Sequence, residues 1–313
     1  MKIINTYSEY EDLLVKTYLI GYSKMGESCI FLLCSEEPCL KNFFCMVIDS
    51  YMENGTNKTL DLLNTIMGKQ KINVLVWTHP HKDHYLGLQD IIEKHCDKHT
   101  KILIPSIGND YTKYEDGTEE LIKFINTLET KKRIINRYDV YPISAPNQSL
   151  FDIEFKTLFP IKGINIRVIA PFPRLAYFST ELEKPDLNRM SIVLLVQLQM
   201  EDDTALYFLY TGDMDNETVK HLLYKIGEED IILPRQFQYI KIPHHGSKAS
   251  ERLVEILDED NKSEVAVTTV FTAKDLPVNE TLEKYKERVK LLYRTDEAEN
   301  NIIEKEYPIL LKA

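Results

Sequence analysis

Short apolar runs alternate with polar turns along the whole chain, and two spacings of apolar positions recur. Runs rich in β-branched and aromatic residues predict strands, whereas apolar positions that recur every three or four residues predict helices. The predicted strands cover residues 14–22, 29–33, 45–49, 72–76, 101–105, 153–159, 164–170, 190–199, 205–211, 264–270 and 302–311, with one more directly before His244. The predicted helices cover residues 57–68, 86–95, 118–132, 216–226, 250–257 and 280–290.

The order of these elements predicts the fold class. The strands fall into two groups, helices are interspersed throughout, and the sequence contains no repeat, low-complexity tract or linker. Two sheets packed face to face with helices outside fit this order, because each sheet then buries both of its faces. The length of 313 residues permits one large or two ordinary domains. We predict a four-layer α/β fold, with residues 1–313 as a single domain.

A turn that follows one buried strand carries the strongest chemical signal. An apolar run over residues 72–76 leads into the letters HPHKDH, which place His79, His81, Asp83 and His84 within six positions. Imidazole nitrogens and carboxylates bind zinc-like ions at about 2.0–2.2 Å. Four donors are more than one ion easily takes from one turn, so we predict half of a two-metal site. The competing interpretation is a solvated loop that happens to hold three histidines.

Further donors follow other predicted strands. The letters LYFLYTGDMD place Asp213 after an apolar strand, and YIKIPHHGSKAS places His244 and His245 after another. Asp49 ends an earlier strand, although an acidic residue there could simply start a loop. Because each of these residues lies where a strand gives way to a loop, we expect them to converge at one edge of the sheets.

The order HxHxDH, TGD and PHHGS resembles the metallo-β-lactamase superfamily. Within it, the closest resemblance is to the metallohydrolase domain of bacterial competence DNA-uptake channel proteins and its stand-alone relatives. The segments GESCIFLL, CMVIDS and NRMSIVLLV are also similar to segments of that branch. The resemblance runs from about Tyr18 to about Ser250. It implies a four-layer αββα sandwich of two mixed β-sheets with outer helices.

The resemblance also implies a role for each donor. The implied dinuclear centre has His79 and His81 on one metal, Asp83 and His84 on the other, Asp213 between them, and either His244 or His245 completing the second site. The histidine that is not a ligand would contact a phosphate or protonate the leaving group. Asp49 would orient a ligand histidine from beneath the turn. Two cations about 3.5–4 Å apart can hold a shared hydroxide and polarise a phosphoryl or acyl oxygen.

One expected ligand is missing. Many members of the superfamily supply a third histidine to the first metal, and between Asp83 and Asp213 this chain has, besides His84, only His95 and His99. Charged neighbours predict that both of these face solvent. Asp186 and Asn188 are alternative oxygen donors for that position. Because oxygen ligands favour harder ions, Mn²⁺ is then as plausible a cofactor as Zn²⁺.

Several polar residues near the motifs are candidates for binding the substrate. Ser247 and Lys248 follow the two histidines of PHHGS, Lys82 lies inside the first motif, and Asn188 belongs to NRMSIVLLV. We expect Ser247, Lys248 and Lys82 to contact a substrate anion. Ser247 and Lys248 could instead cap the helix predicted from residue 250.

Composition limits the classes of partner. The net charge is −11, from 49 acidic and 38 basic side chains, whereas proteins that grip a polyanion usually carry a basic surface. Bound metal ions bring their own positive charge, so nucleic-acid chemistry stays compatible with this balance. No apolar run approaches the roughly 18 residues of a membrane span, and the N-terminus lacks the apolar centre of a signal peptide. We expect a cytoplasmic protein with reduced cysteines and no membrane partner.

Three functions fit these residues. The first is a metal-dependent phosphodiesterase or nuclease acting on nucleic acid or nucleotides, as the resembled branch implies. The second is a hydrolase of small thioesters, lactones or β-lactams; HHGS disfavours thioesters, and the missing histidine disfavours β-lactams. The third is a largely structural subunit of a multi-protein system, for example in phage defence, which the retained donors disfavour. A partner protein could supply the grip on DNA that an acidic chain lacks, since fold alone does not determine substrate.

Overall fold

Two large β-sheets form the centre of the molecule. The computed structural model describes residues 2–5, 13–23, 26–35, 41–108, 110–130, 138–155, 158, 160–176 and 185–309. The strands are β1 (Lys2–Asn5), β2 (Leu13–Ile20), β3 (Ser28–Ser35), β4 (Asn42–Ile48), β5 (Met52–Glu53), β6 (Thr56–Asn57), β7 (Val74–Val76), β8 (Lys101–Pro105), β9 (Asp139–Ile143), β10 (Asn147–Phe155), β11 (Ile161–Ala170), β12 (Val193–Met200), β13 (Ala205–Tyr210), β14 (Tyr239–Lys241), β15 (Ser263–Thr268), β16 (Val289–Arg294) and β17 (Ile302–Ile309).

Helices connect the strands and flank the sheets. The α-helices are α1 (Lys58–Ile66), α2 (Lys82–Tyr85), α3 (Leu88–His95), α4 (Thr118–Thr130), α5 (Pro173–Ala176), α6 (Asn216–Gly227) and α7 (Asn279–Arg288). The 3-10 helices are Tyr111–Lys113, Leu187–Met190, His244–Gly246, Lys248–Ile256, Thr272–Lys274, Thr295–Glu297 and Glu299–Asn301. Among the helices described here, none is both long and apolar enough to cross a membrane.

Each sheet combines an antiparallel part with a parallel part. The eight-stranded sheet has the order β1-β10-β11-β12-β13-β14-β15-β16, and its neighbours are parallel from β13 to β16. The seven-stranded sheet has the order β17-β2-β3-β4-β7-β8-β9, and its neighbours are parallel from β4 to β9. Parallel neighbours end at the same edge of a sheet. The residues that follow β4 and β7 therefore meet at one edge, as do those that follow β13 and β14.

Successive side chains of the strands face two different cores. In β3, Phe31 and Leu33 pack in the core between the sheets, whereas Ile30 packs in the core beneath the helices. Phe31 meets Phe208 of the other sheet edge to face, with 5.1 Å between ring centroids. Side chains of α1, α3 and α4 cover the seven-stranded sheet. Side chains of α6, α7 and the 3-10 helix Lys248–Ile256 cover the eight-stranded sheet. The prediction of a four-layer α/β fold with two mixed sheets is confirmed.

Several local predictions are wrong. The helix predicted over residues 280–290 ends at Arg288, and β16 follows at once because it pairs with β15. The helix predicted over residues 250–257 is a 3-10 helix. Strand β9 was not predicted because it contains Pro142, which the edge of a sheet tolerates. The predicted ends at residues 131–132, 159 and 310–311 lie outside the described residues.

The predicted exposure of His95 is also wrong. This side chain is only 2% exposed, and its Nε2 lies 3.0 Å from Oδ1 of Asn64 on α1. The charged neighbours along α3 predicted that His95 faces solvent. Its ring instead faces α1, where Asn64 is its polar partner. His99 is exposed, as expected. Neither histidine lies near the predicted donors, so neither replaces the missing ligand.

Four of the five cysteines lie in the described part of the chain. Cys29, Cys34, Cys45 and Cys96 are all buried. Cys39 lies outside the described residues. Burial raises the pKa of Cys45 and of Cys96 well above the usual thiol value, so these thiols stay protonated.

Candidate metal centre

The metal turn, defined here as residues 79–84, begins three residues after β7. The chain leaves the strand through Trp77, whose Nε1 donates a hydrogen bond to the carbonyl of His79 at 2.7 Å. Gly26 packs so closely on the turn that a Cβ atom there would lie 1.7 Å from the carbonyl oxygen of Asp83, and its φ is +80°. Only glycine fits this position. The segment that contains Glu27 is thereby held against the metal turn.

Asp49 lies beneath the metal turn and is 2% exposed. Its carboxylate accepts hydrogen bonds from the backbone N–H of Thr78 at 2.7 Å and from the Thr78 hydroxyl at 2.6 Å. Its Oδ2 also lies 2.7 Å from Nδ1 of His84. The Thr78 hydroxyl is in turn 2.9 Å from Nδ1 of His79. Asp49 therefore orients His84 directly and His79 through one hydroxyl.

The three histidines of the metal turn form one group. Nε2 of His79 lies 2.9 Å from Nδ1 of His81, so one ion with bonds of about 2.0–2.1 Å can reach both nitrogens. The rings of His79 and His84 have 4.2 Å between centroids. His79 and His84 are fully buried, whereas His81 is partly exposed.

The eight-stranded sheet supplies Asp213 and His245 to the same group. Oδ2 of Asp213 lies 3.6 Å from Nε2 of His84 and 3.8 Å from Nε2 of His245. The backbone N–H of Asp213 donates to Oγ of Ser191 at 3.1 Å. His244 and His245 have φ values of +48° and +52°. Such backbone geometry costs non-glycine residues about 1–3 kcal/mol each, so surrounding structure must hold the two histidines in place.

A buried ion pair lies near these donors, and the sequence pattern did not lead us to predict it. Lys241 of β14 is 1% exposed, contacts Glu27, and lies 3.5 Å from Oδ1 of Asp213. Glu27 also accepts a hydrogen bond from the Thr269 hydroxyl at 2.6 Å, and that hydroxyl is 2.6 Å from Nδ1 of His245. The letters YIKIP carried the signal: a lysine within an otherwise buried strand needs an acidic partner.

The charges of the two histidines beside Asp213 differ. Burial opposes protonation of His84, but Asp213 and Asp49 outweigh it and raise the pKa of His84 well above its usual value. Burial lowers the pKa of His245, and the ammonium group of Lys241 acts in the same direction. Burial also opposes ionisation of Asp213, yet His84, His245 and Lys241 hold its pKa well below its usual range. The protein without metal therefore contains an Asp213 carboxylate beside a protonated His84.

Among the described residues, two sets of donors suit a divalent cation. They are His79, His84 and Asp213, and Asp83, His84 and His245, with the ligand atoms of each set within 4.8 Å of one another. Nε2 of His84 is buried without a hydrogen-bond partner, which is uncommon in folded proteins. Imidazole and carboxylate donors suit Zn²⁺, and the carboxylates also suit Mn²⁺. The residues present fit the metal that the motifs suggest.

Two of the predicted ligands lie outside both sets. His81 reaches the first set through its contact with His79. His244 borders the cavity beside the donors, and its Nδ1 lies 3.4 Å from Nδ2 of Asn188. Of the two histidines in PHHGS, His245 is therefore the one whose ring nitrogen faces the other donors.

A cavity of about 520 Å³ opens onto the donors. Lys82, a predicted substrate contact, lines it, as does Lys274, which the sequence analysis did not single out. Phe271 forms part of the wall and stacks on His245 with 4.9 Å between ring centroids. The cavity therefore combines cationic side chains and an aromatic ring beside the donor sets.

Ser247 and Lys248 do not border this cavity. The Ser247 hydroxyl accepts a hydrogen bond from the N–H of Ala249 at 3.2 Å, so it caps the 3-10 helix that begins at Lys248. The capping alternative is confirmed for Ser247. The side chain of Lys248 is 71% exposed and lies 4.0 Å from Glu280. The contact of these two residues with a substrate anion stays a prediction.

The two oxygen donors considered for the first metal differ in their surroundings. Asp186 accepts a hydrogen bond from the N–H of Asn188 at 3.2 Å and pairs with Arg189 at 3.3 Å. Oδ1 of Asn188 is buried and has no hydrogen-bond partner. Asn188 is thus better suited to bind an ion than Asp186, and its role as a ligand stays a prediction.

Comparisons with known proteins return distant structural neighbours. A diphosphatase of the PhnP family is 14% identical, covers 95% of this chain and 100% of its own, and has a TM-score of 0.43. The metallo-β-lactamase fold protein YhfI from Bacillus subtilis is 13% identical, with coverages of 94% and 100% and a TM-score of 0.43. A long form of RNase Z from yeast is 10% identical, with coverages of 91% and 37% and a TM-score of 0.41. No protein-family model and no curated protein sequence matches the chain.

Proposed function

We propose that this protein is a metal-dependent phosphodiesterase that acts on nucleic acid or nucleotides. The observation that carries the proposal is the meeting of metal donors from two sheets: His79, Asp83 and His84 come from one, and Asp213 and His245 from the other. Two bound divalent ions would supply a nucleophile at neutral pH and stabilise the charge that develops on the phosphoryl group.

Each residue of the chain has a distinct task in this proposal. One ion would be held by His79 and His81, the other by Asp83, His84 and His245, and both by Asp213. Asp49 keeps Nε2 of His84 directed at the centre, because it engages Nδ1 at 2.7 Å. In this proposal His244 does not bind metal. Because it borders the cavity, its ring is available to contact a phosphate or to protonate the leaving oxygen.

The cavity supports an anionic substrate of limited size. Its volume of about 520 Å³ falls within the roughly 300–1,000 Å³ of small-molecule sites. Lys82 and Lys274 suit a phosphodiester, and Phe271 and Leu276 suit a flat apolar group such as a base. With a net charge of −11, the chain is better suited to a nucleotide or the end of a strand than to gripping a long duplex.

The test uses purified protein with Mn²⁺ or Zn²⁺ and three substrates: bis(p-nitrophenyl) phosphate, single-stranded DNA and a thioester. We expect hydrolysis of one or both phosphodiesters, loss of activity with a chelator, and recovery when metal is added back. His81→Ala and Asp213→Asn should be inactive on the same substrates. Lys220→Ala is the matched control, because this side chain on α6 is exposed and does not border the cavity.

Three results would contradict the proposal. Turnover of the thioester alone would indicate the second class of hydrolase. Equal activity in wild type, His81→Ala and Asp213→Asn would indicate a contaminating enzyme. Metal binding without turnover of any substrate would favour a structural subunit.

A further inference from the structure

A chain of buried polar contacts connects His245 to Asp213. Nδ1 of His245 lies 2.6 Å from the Thr269 hydroxyl, which donates a hydrogen bond to Oε2 of Glu27 at 2.6 Å. The other oxygen of Glu27 pairs with Lys241, whose Nζ lies 3.5 Å from Oδ1 of Asp213. All of these residues are at most 3% exposed. The path therefore links two donors through the interior rather than through the cavity.

The direction of donation along this path determines the tautomer of His245. A threonine hydroxyl has one proton, and Thr269 gives it to Glu27, so it can only accept from His245. His245 then carries its proton on Nδ1. The lone pair of Nε2 faces Asp213, 3.8 Å away, as a metal ligand requires.

Lys241 orients Asp213 in a comparable way. Its ammonium group lies on the Oδ1 side of the carboxylate and also donates to the carbonyl of Gly212 at 2.8 Å. Oδ2 is the oxygen that faces Nε2 of His84, at 3.6 Å. The two oxygens of Asp213 thus have different neighbours, and Oδ2 points to the histidines.

We propose that Glu27 and Lys241 are positioning residues of the metal centre. Glu27 orients His245 through Thr269, and Lys241 orients the carboxylate of Asp213. Because Glu27 precedes β3 and Lys241 lies in β14, the pair also joins the two sheets that supply the donors. The inference rests on the metal centre of the proposed function.

The decisive variant is the double substitution Glu27→Gln/Lys241→Met. It removes both charges together, so it avoids the unpaired buried charge that a single substitution leaves. It also keeps the summed charge of the pair at zero, so a change in metal affinity reports lost orientation rather than lost charge. We expect Zn²⁺ and Co²⁺ affinity, measured by competition with a chromophoric chelator, to fall about 10- to 100-fold. The visible absorption spectrum of the Co²⁺-loaded protein should change shape.

A second buried lysine, whose acidic partner is partly exposed, provides the control. Lys101 pairs with Asp139 across β8 and β9, at the end of the parallel strands away from the metal turn. Lys101→Met/Asp139→Asn should lower the melting temperature but leave the metal affinity and the Co²⁺ spectrum unchanged. Wild-type affinity and spectrum in Glu27→Gln/Lys241→Met would overturn this inference alone. Failure of the wild-type protein to bind either metal would overturn the proposed function itself.

If the double variant does not fold, the single substitution Glu27→Asp tests the role of Glu27 instead. This substitution keeps the charge next to Lys241 but draws the carboxylate back from Thr269. We expect an altered Co²⁺ spectrum in a folded protein, and an unchanged spectrum would contradict the role assigned to Glu27.

Discussion

Two buried carboxylates support the candidate centre from different sides, and they act in different ways. Asp49 contacts Nδ1 of His84 directly, at 2.7 Å. Glu27 reaches Nδ1 of His245 mainly through the hydroxyl of Thr269. Glu27 is also paired with Lys241, whereas Asp49 is paired with the histidine that it orients. The comparison indicates that Asp49 helps to raise the pKa of the histidine that it contacts, whereas Glu27 does not outweigh burial at His245 and acts on it mainly through orientation.

The two histidines beside Asp213 illustrate this difference. Burial works against protonation of both. The pKa of His84 is nevertheless raised, because Asp213 and Asp49 favour the charged imidazole. The pKa of His245 is lowered, because burial, together with the positive charges of Lys241 and His84, outweighs the carboxylates of Glu27 and Asp213. A metal bound as proposed would therefore have to displace a proton on the Asp49 side but would meet a neutral histidine on the Glu27 side.

The largest effect is expected from Asp213→Asn, because both sides of the centre share this carboxylate. Loss of a partner that only orients a ligand costs about 10- to 100-fold, so loss of the ligand itself should cost more than about 100-fold in kcat/KM and in metal affinity. Asp215→Asn is the control: asparagine can still cap α6, and the lost ion pair with Arg189 should change stability by at most about 1 kcal/mol without loss of metal. Activity of Asp213→Asn near the wild-type value would show that the two sides do not share this carboxylate, and the comparison would then fail.

The next largest effect is expected from Asp49→Asn, which removes the direct partner of His84. We expect metal affinity to fall about 100-fold, at the upper end of the range for residues that orient a ligand. Chelator competition measures the change. Asp61→Asn, an exposed position in the first turn of α1, should bind metal as the wild type does. An affinity loss no larger than that of Glu27→Gln/Lys241→Met would contradict the ranking of direct over relayed support.

The dependence of metal binding on pH should differ between the two sides. His84 is protonated at pH 7 because its pKa is raised, and a ligand histidine must be neutral. Binding therefore releases a proton, so apparent affinity should rise about tenfold per pH unit below the pKa of His84. Calorimetric titration in two buffers of different ionisation enthalpy measures this release. Asp49→Asn should reduce it, and equal heats in both buffers for the wild type would contradict the prediction.

The sequence predicted the Asp49 side better than the Glu27 side, for a physical reason. His79, Asp83 and His84 lie within one turn after a buried strand, so their spacing alone indicates a shared task. Glu27, Lys241 and Thr269 come from three distant segments that meet only after both sheets have formed. Lys241 within YIKIP was a usable signal that a partner existed, although nothing in the letters identified Glu27 as that partner.

The same reasoning separates the correct and incorrect predictions of the fold. Strands such as β7 are apolar over their whole length, and their pattern alone located them. Strand β16 follows α7 without a glycine or proline, so only its pairing with β15 ends the helix. His95 lies among charged residues, yet its contact with Asn64 buries it. The local sequence pattern thus predicted the layers of the fold. Tertiary contacts determined the features that it did not predict, such as the end of α7 and the burial of His95.

The smallest effect is expected from Thr269→Val, which removes the hydroxyl between Glu27 and His245. Nδ1 of His245 already lies 3.4 Å from Oε2 of Glu27, so a direct contact can partly replace the lost relay. We therefore expect a severalfold loss of metal affinity, below the roughly tenfold lower limit for direct partners. Thr268→Val removes a neighbouring buried hydroxyl that donates to the carbonyl of Thr269 at 3.2 Å, and it should leave affinity unchanged. A loss as large as that of Asp49→Asn would mean that Thr269, rather than Glu27, is the residue on which His245 depends. Equal affinity in Thr269→Val and Thr268→Val would mean that the carboxylate alone is sufficient.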